Sequence, residues 1–377
     1  MGAGAGAKSA KPKEPRGGRG AEVLHAQAAE RLKRGDYQGA IEDCTEALKV
    51  QSGYVDALCT RGEAKVLSDD FQGARADAEA ALKIDDKAAL AWSTLGATKI
   101  KSANLEGASR DLSQSLELDP DNARTWSRRG ASRMNRGDLK QALQDCTEAL
   151  TRDPSLAMAW GNRGACKSRM GDHTGAIKDC SEALRLDARL KAAWCNRSFA
   201  RLHKGDFEGA INDCSEEIFL DPGVSSAWSR RACAKLRKGD HDGAAADCDE
   251  AIDLDQTNAL AWGCSGEVKM KRGDLPASIS DFSEALRHDH RLRPALGMRS
   301  AARLETGDVL GAAQDLEAAL QLTSAVRGSS ALAGGLMLDG GSDEFLEALR
   351  LRMPPCVDSP MAENGVRATV PSEPPDE

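Results

Sequence analysis

Cysteine is the residue type whose placement most invites a chemical reading. Cys44, Cys146, Cys180, Cys214 and Cys248 stand at one register, 34 residues or a multiple of 34 apart. A row of thiols suggests metal binding or redox work. Both need sulfurs that meet, and no Cys-x2-Cys pair occurs anywhere in the chain. On equivalent stacked helices such residues lie about 10 Å or more apart. A disulfide needs Cα atoms ~4.4–6.8 Å apart. The row is therefore read as buried small hydrophobes. Neighbouring columns such as Cys166 and Cys180 can come closer, which leaves oxidation sensitivity open. With no secretory signal, the eleven cysteines point to reduced thiols, in the cytoplasm or alternatively the nucleus.

Charged residues repeat at the same interval. Asp43, Asp77, Asp111, Asp145, Asp179, Asp213, Asp247, Asp281 and Asp315 form one column. Arg31, Lys65, Lys99, Arg133, Lys167, Arg201, Lys235, Lys269 and Arg303 form another, with Arg61, Arg129, Arg163, Arg197, Arg231 and Arg299 four residues before six sites of that register. The reading is an ion-pair ladder that sets register, since exposed pairs contribute only ~0–1 kcal/mol each. "GNRGACKS" at Gly161 nearly spells a phosphate loop, but Cys166 stands where Gly is required. His288 and His290 make a poor metal site with two ligands. No Ser-His-Asp or Cys-His spacing supports catalysis, so no enzyme activity, cofactor or metal is expected.

The frame behind these columns is a period. All six tryptophans, Trp92, Trp126, Trp160, Trp194, Trp228 and Trp262, are 34 residues apart. Leu24, Leu58 and Leu296 extend the series to nine repeats over about residues 21–326. Small residues recur four and sixteen positions after each marker, for example Gly164 and Ala176, and let two helices approach closely. The fifth repeat predicts helices over "LAMAWGNRGACKSRM" and "HTGAIKDCSEALRL". Gly171 supplies the left-handed C-cap between them, and Asp172 the N-cap. Asp-Pro at Asp119, Asp153 and Asp221 stops second helices. No strand-like alternation is present. No apolar run approaches the ~18–20 residues of a membrane span. A net charge of −8 argues against bulk-charge nucleic-acid binding. Gly2 lacks the Ser or Thr at position 6 that myristoylation wants; Gly6 is there.

The period, the Trp-x3-Gly pair, the Gly-Asp turn, the second-helix Ala and the closing Asp-Pro together resemble the tetratricopeptide repeat (TPR) family, over about four-fifths of the chain. The resemblance implies an all-α fold, a right-handed α-solenoid of antiparallel helix pairs whose concave groove, lined by first helices, binds peptides. The family's groove positions fall on Arg124, Ser127, Arg128, Asn162, Arg169, Asn196, His203, Arg230, Arg237 and Lys271. Small residues, Gly161, Ala165, Cys195, Ser229 and Gly263, lie between them, so the groove is expected to be roomy and locally basic. The Trp column is expected in the packed core, where Trp-to-Ala costs roughly 3–5 kcal/mol.

The implied function is a scaffold or adaptor that binds an acidic or extended peptide segment of a protein partner. A co-chaperone reading rests on similarity to the clamp for Hsp70 and Hsp90 C-terminal tails. Asn196 and Arg230 match that clamp, while Gly161, Ala165 and Ser226 depart from it. A non-catalytic subunit of an enzyme complex is the third reading. Residues 1–20, with five basic side chains and one acidic, read as a disordered tail. Residues 327–377 read as an acidic Gly/Pro-rich tail. A short helix near 342–353, carrying Phe345, Leu346 and Leu349, either caps the array or is a separate docking motif.

Overall fold

The computed structural model describes residues 18–329, and side chains over 20–322. The expected tail at 1–20 falls almost wholly outside these residues, as does the segment 342–353. The first helix begins at Gly18, inside the stretch read as tail. Every described element is an α-helix, and no strand occurs among the described residues.

The chain divides into two compact units. The first includes residues up to Arg136 and the second begins at Gly137. Unit 1 contains α1 (Gly18–Lys33), α2 (Tyr37–Val50), α3 (Val55–Leu67), α4 (Phe71–Ile84), α5 (Ala89–Lys101), α6 (Leu105–Leu118) and α7 (Ala123–Arg136). Unit 2 contains α8 (Leu139–Arg152), α9 (Ala157–Arg169), α10 (His173–Leu186), α11 (Lys191–Lys204) and α12 (Phe207–Leu220). It continues with α13 (Ser225–Lys238), α14 (His241–Leu254), α15 (Ala259–Lys271), α16 (Leu275–His288), α17 (Arg293–Glu305) and α18 (Val309–Ser329). Within each unit consecutive helices pack on one another. First helices also touch first helices, as α3 touches α5 and α13 touches α15. Each unit is thus a short α-solenoid of antiparallel helix pairs.

Local chemistry sets the turns. Gly171 sits at φ 88°, a left-handed conformation that costs glycine little. Asp172 then caps α10 by accepting from the Gly175 N–H. A Cβ on Gly175 would crowd that carboxylate as it stands, and at the equivalent place on α16 the Asp274 cap accommodates Ala277 with a longer bond of 3.2 Å. Asp69 at φ 63° and Ala103 at φ 58° hold the same bend without glycine. Second helices end at Leu118, Arg152 and Leu220, each before the Asp of an Asp-Pro pair.

Close approach of paired helices depends on the small columns. A Cβ on Gly164 would lie 2.6 Å from Cys180 Sγ and 3.2 Å from the Ala176 carbonyl oxygen. The core is accordingly built from alanine, cysteine and leucine. Ala176, Cys180 and Ala183 are all completely buried. The thiols of Cys180 and Cys214 are pushed up to about 12 by burial. Both are protonated hydrophobes at neutral pH.

Candidate protein-interaction face

The charged columns meet as the ladder predicts. Arg197 shows the arrangement. Its guanidinium lies over the Trp194 ring, 4.8 Å from the centroid. It donates to Asp213 through Nε at 3.0 Å and Nη2 at 2.8 Å, and reaches back to Ser181 Oγ on the preceding second helix at 3.0 Å. Arg201 adds a bond to Asp213 at 2.7 Å and one to the Gly209 carbonyl. Burial lifts the Asp213 carboxyl above its ordinary value, and the two guanidiniums pull against it. The same Arg–Asp fork holds Asp77, Asp179, Asp247 and Asp315. These carboxylates are 4–6% exposed and Asp213 only 1%. The ladder is therefore not the weak surface network expected. Loss of one partner would strand a buried charge.

The tryptophans also differ from expectation. All six are half-buried rather than enclosed. Each Nε1 donates to the backbone carbonyl six residues earlier, as Trp160 does to Pro154 and Trp194 to Ala188. One ring face packs on the core and the other carries an arginine in four repeats. A Trp here locks its loop as much as it fills a core.

The positions assigned to the groove separate into two sets. Arg128 is 6% exposed and grips Glu63 with two bonds of 2.8 Å, while Arg124, still partly exposed, joins the same carboxylate at 3.2 Å. Burial alone would raise the Glu63 carboxyl, but the two guanidiniums outweigh it and hold the group at about 2. Arg230 is completely buried and bonds Glu217 at 2.7 Å. Asn162 and Asn196 are buried at 5% and 8%. Ser127 is also buried. These residues, expected as accessible groove side chains, are packed between helices.

The small residues have the same explanation. Ala165, Cys195 and Ser229 are buried, as are Gly161 and Gly263. A Cβ on Gly161 would meet Leu190 Cδ2 at 3.3 Å. Small side chains let neighbouring first helices close on one another, so the expected roominess is not found. The second set keeps contact with solvent. Arg169, His203 and Arg237 are half-buried and Lys271 is exposed. All four stand nine residues after a Trp, on α9, α11, α13 and α15. His203 stacks on His173 at 4.6 Å and touches Phe199; Arg237 bonds Glu267 at 2.9 Å.

Sequence reasoning missed the acids. Glu217 stands where the preceding repeat has Ala183 and the following one Ala251, a break in a small column that signals a buried partner. Glu63 and Glu267 share the register five after the marker, where most repeats hold a small residue.

Residues 94–157 and 200–259 match the family profile described as tetratricopeptide repeat. The chain contains tetratricopeptide repeats. Among solved structures, a chain of the APC/C hetero-tetramer Cut9-Hcn1 is similar to this TPR chain at 16% identity and a TM-score of 0.63, covering 74% of this chain. The TPR chain spans 55% of that chain's length, and the likeness concerns the fold. PilF of Pseudomonas aeruginosa is similar at 19% identity and a TM-score of 0.48, over 54% of this chain and 92% of its own. YrrB, titled a TPR protein with an unusual peptide-binding site, is similar at 18% identity and a TM-score of 0.40, over 49% of this chain and 95% of its own. No curated protein matches the chain. Among the described residues no helix is long and apolar enough to cross a membrane.

Proposed function

We propose that this TPR chain is a non-catalytic scaffold whose second unit takes an acidic or extended peptide of a protein partner along Arg169, His203, Arg237 and Lys271. The observation that carries the reading is the recurrence of a partly exposed basic side chain at one register of four successive first helices. Carboxylates spaced along a peptide would meet Arg169 and Lys271 as cations on α9 and α15, with the His203 imidazole and the Glu267-paired Arg237 between them. Arg can offer them bidentate hydrogen bonds and Lys a point charge. Hsp70 or Hsp90 tail recognition gains no support from this geometry, because both clamp-like residues, Asn196 and Arg230, are buried.

The test is anisotropy of a labelled acidic peptide titrated with the full chain at low and high salt. The variant Arg169→Glu with Lys271→Glu should weaken binding about tenfold or more, equivalent to ~1.4 kcal/mol, with an unchanged circular dichroism spectrum. Equal affinity for both proteins, or affinity insensitive to salt, removes this row from the binding site.

A further inference from the structure

Cys233 lies on α13 and Cys264 on α15, two first helices of unit 2 that touch directly. Neither belongs to the 34-residue cysteine column. Cys233 stands five residues after Trp228, and Cys264 two residues after Trp262. At the same two registers the other junctions of unit 2 carry Ala165 with Asn196, Phe199 with Arg230 and Glu267 with Met298. The junction of α13 with α15 is the one place in the nine repeats where both are cysteines. Their Sγ atoms lie 2.7 Å apart, one thiol donating to the other. A disulfide bond is about 2.05 Å long, so the sulfurs need to close by less than about 1 Å. Cys233 is 2% exposed and Cys264 is completely buried, in an apolar cluster with Leu236 and Val268. Cys248 of α14 belongs to the same cluster and is also completely buried.

We propose that Cys233 and Cys264 are a modification site for a peroxide-class oxidant, which joins them as a disulfide between neighbouring repeats. The Cys233 sulfur first attacks one oxygen of hydrogen peroxide. The O–O bond breaks, and the departing hydroxide takes the thiol proton and leaves as water. Cys233 is now a sulfenic acid. The Cys264 sulfur then attacks the sulfenic sulfur. An S–S bond forms, the S–O bond breaks, and the second hydroxide leaves with the Cys264 proton as water. Two thiols and one hydrogen peroxide give one disulfide and two waters, and the two electrons lost by sulfur reduce the peroxide.

The order follows from the surroundings. Burial and the neighbouring sulfurs push the Cys264 thiol well above its ordinary value, which makes it a poor first target. As the second attacker it needs no diffusion, because its target is already in contact, and a thiolate of high pKa is the stronger nucleophile once formed. The oxidant enters when the junction opens locally, so the reaction is slow. The new bond closes a loop that contains all of α14 and fixes α13 against α15.

The test treats the folded full chain with hydrogen peroxide, blocks the remaining thiols with N-ethylmaleimide in urea, and maps peptides without reductant. A Cys233–Cys264 crosslink within one chain should be about tenfold more abundant than any other disulfide of either residue, and should vanish with dithiothreitol. Recovery of both thiols blocked, or of Cys264 joined to Cys248 or to a second chain, overturns the proposal. This mapping needs no variant to fold. The variant Cys264→Ala removes the second attacker, and after peroxide it should hold Cys233 as a sulfenic acid that dimedone labels. Folded Cys264→Ala whose Cys233 stays unlabelled overturns the proposal as well. Peptide binding by α9–α15 enters neither readout, so either proposal can fail alone.

Discussion

Replacing Glu63 by Gln keeps the shape of the side chain and removes its charge. Arg128, 6% exposed, then keeps one side-chain oxygen at position 63 and Ser93 Oγ at 3.1 Å as acceptors, but it loses its counter-charge and faces an amide donor where it had a carboxylate oxygen. Truncating one partner of a buried pair costs about 3–5 kcal/mol. The carboxyl gives an independent figure. Holding it at about 2 against an ordinary 4.5 corresponds to about 3 kcal/mol of stabilisation at neutral pH. The two agree, so Glu63→Gln should lower local stability by about 3 kcal/mol, a loss of about a hundredfold in hydrogen-exchange protection across α3 and α7. The sign with pH follows from the depressed value. The stabilisation is complete above about pH 4.5 and is lost as pH falls towards 2. Glu63→Met with Arg128→Met, which removes both charges, should recover most of the loss, because two apolar side chains leave nothing stranded. The measurement is hydrogen exchange with mass spectrometry on the full chain, from pH 7 down to acid conditions. A cost under about 1 kcal/mol for Glu63→Gln, or a double variant as unstable as the single one, refutes the reasoning.

Gly164→Ala forces a methyl to 2.6 Å from Cys180 Sγ and should cost about 1–3 kcal/mol in urea unfolding; adding Cys180→Ala should relieve part of it. Ala103→Gly relaxes a left-handed residue at φ 58° and should stabilise by about 1 kcal/mol, visible as a raised melting temperature. Cys180 and Cys214, buried with thiols at about 12, should resist a thiol reagent at pH 8 in the native chain and react once urea unfolds it.

The fold was legible because each signal in a repeat is local. Gly171 ends a helix, Asp172 starts the next and Trp160 marks the phase, all within a few residues. Nine copies of one pattern then leave little room for another architecture. The site was less legible, since groove exposure depends on which long side chain finds an acid far along the chain. Glu63 and Arg128 are 65 residues apart, and no period links their types. Arg230 and Lys271 read alike as groove cations. The structure separates them because Glu217 lies beside the first, which is buried, while Lys271 remains exposed.

The arginines lying over Trp194 and Trp228 each tie three helices at one point, and two repeats with a tryptophan have no arginine at that register. Leu95 stands at that place on α5 and Ser265 on α15. Ser265 still bonds Asp281 at 2.6 Å, but a hydroxyl is too short to reach the helix behind it. Within the second unit, α15 is therefore expected to loosen under load before α11 and α13, as a riveted strip opens where a rivet is missing.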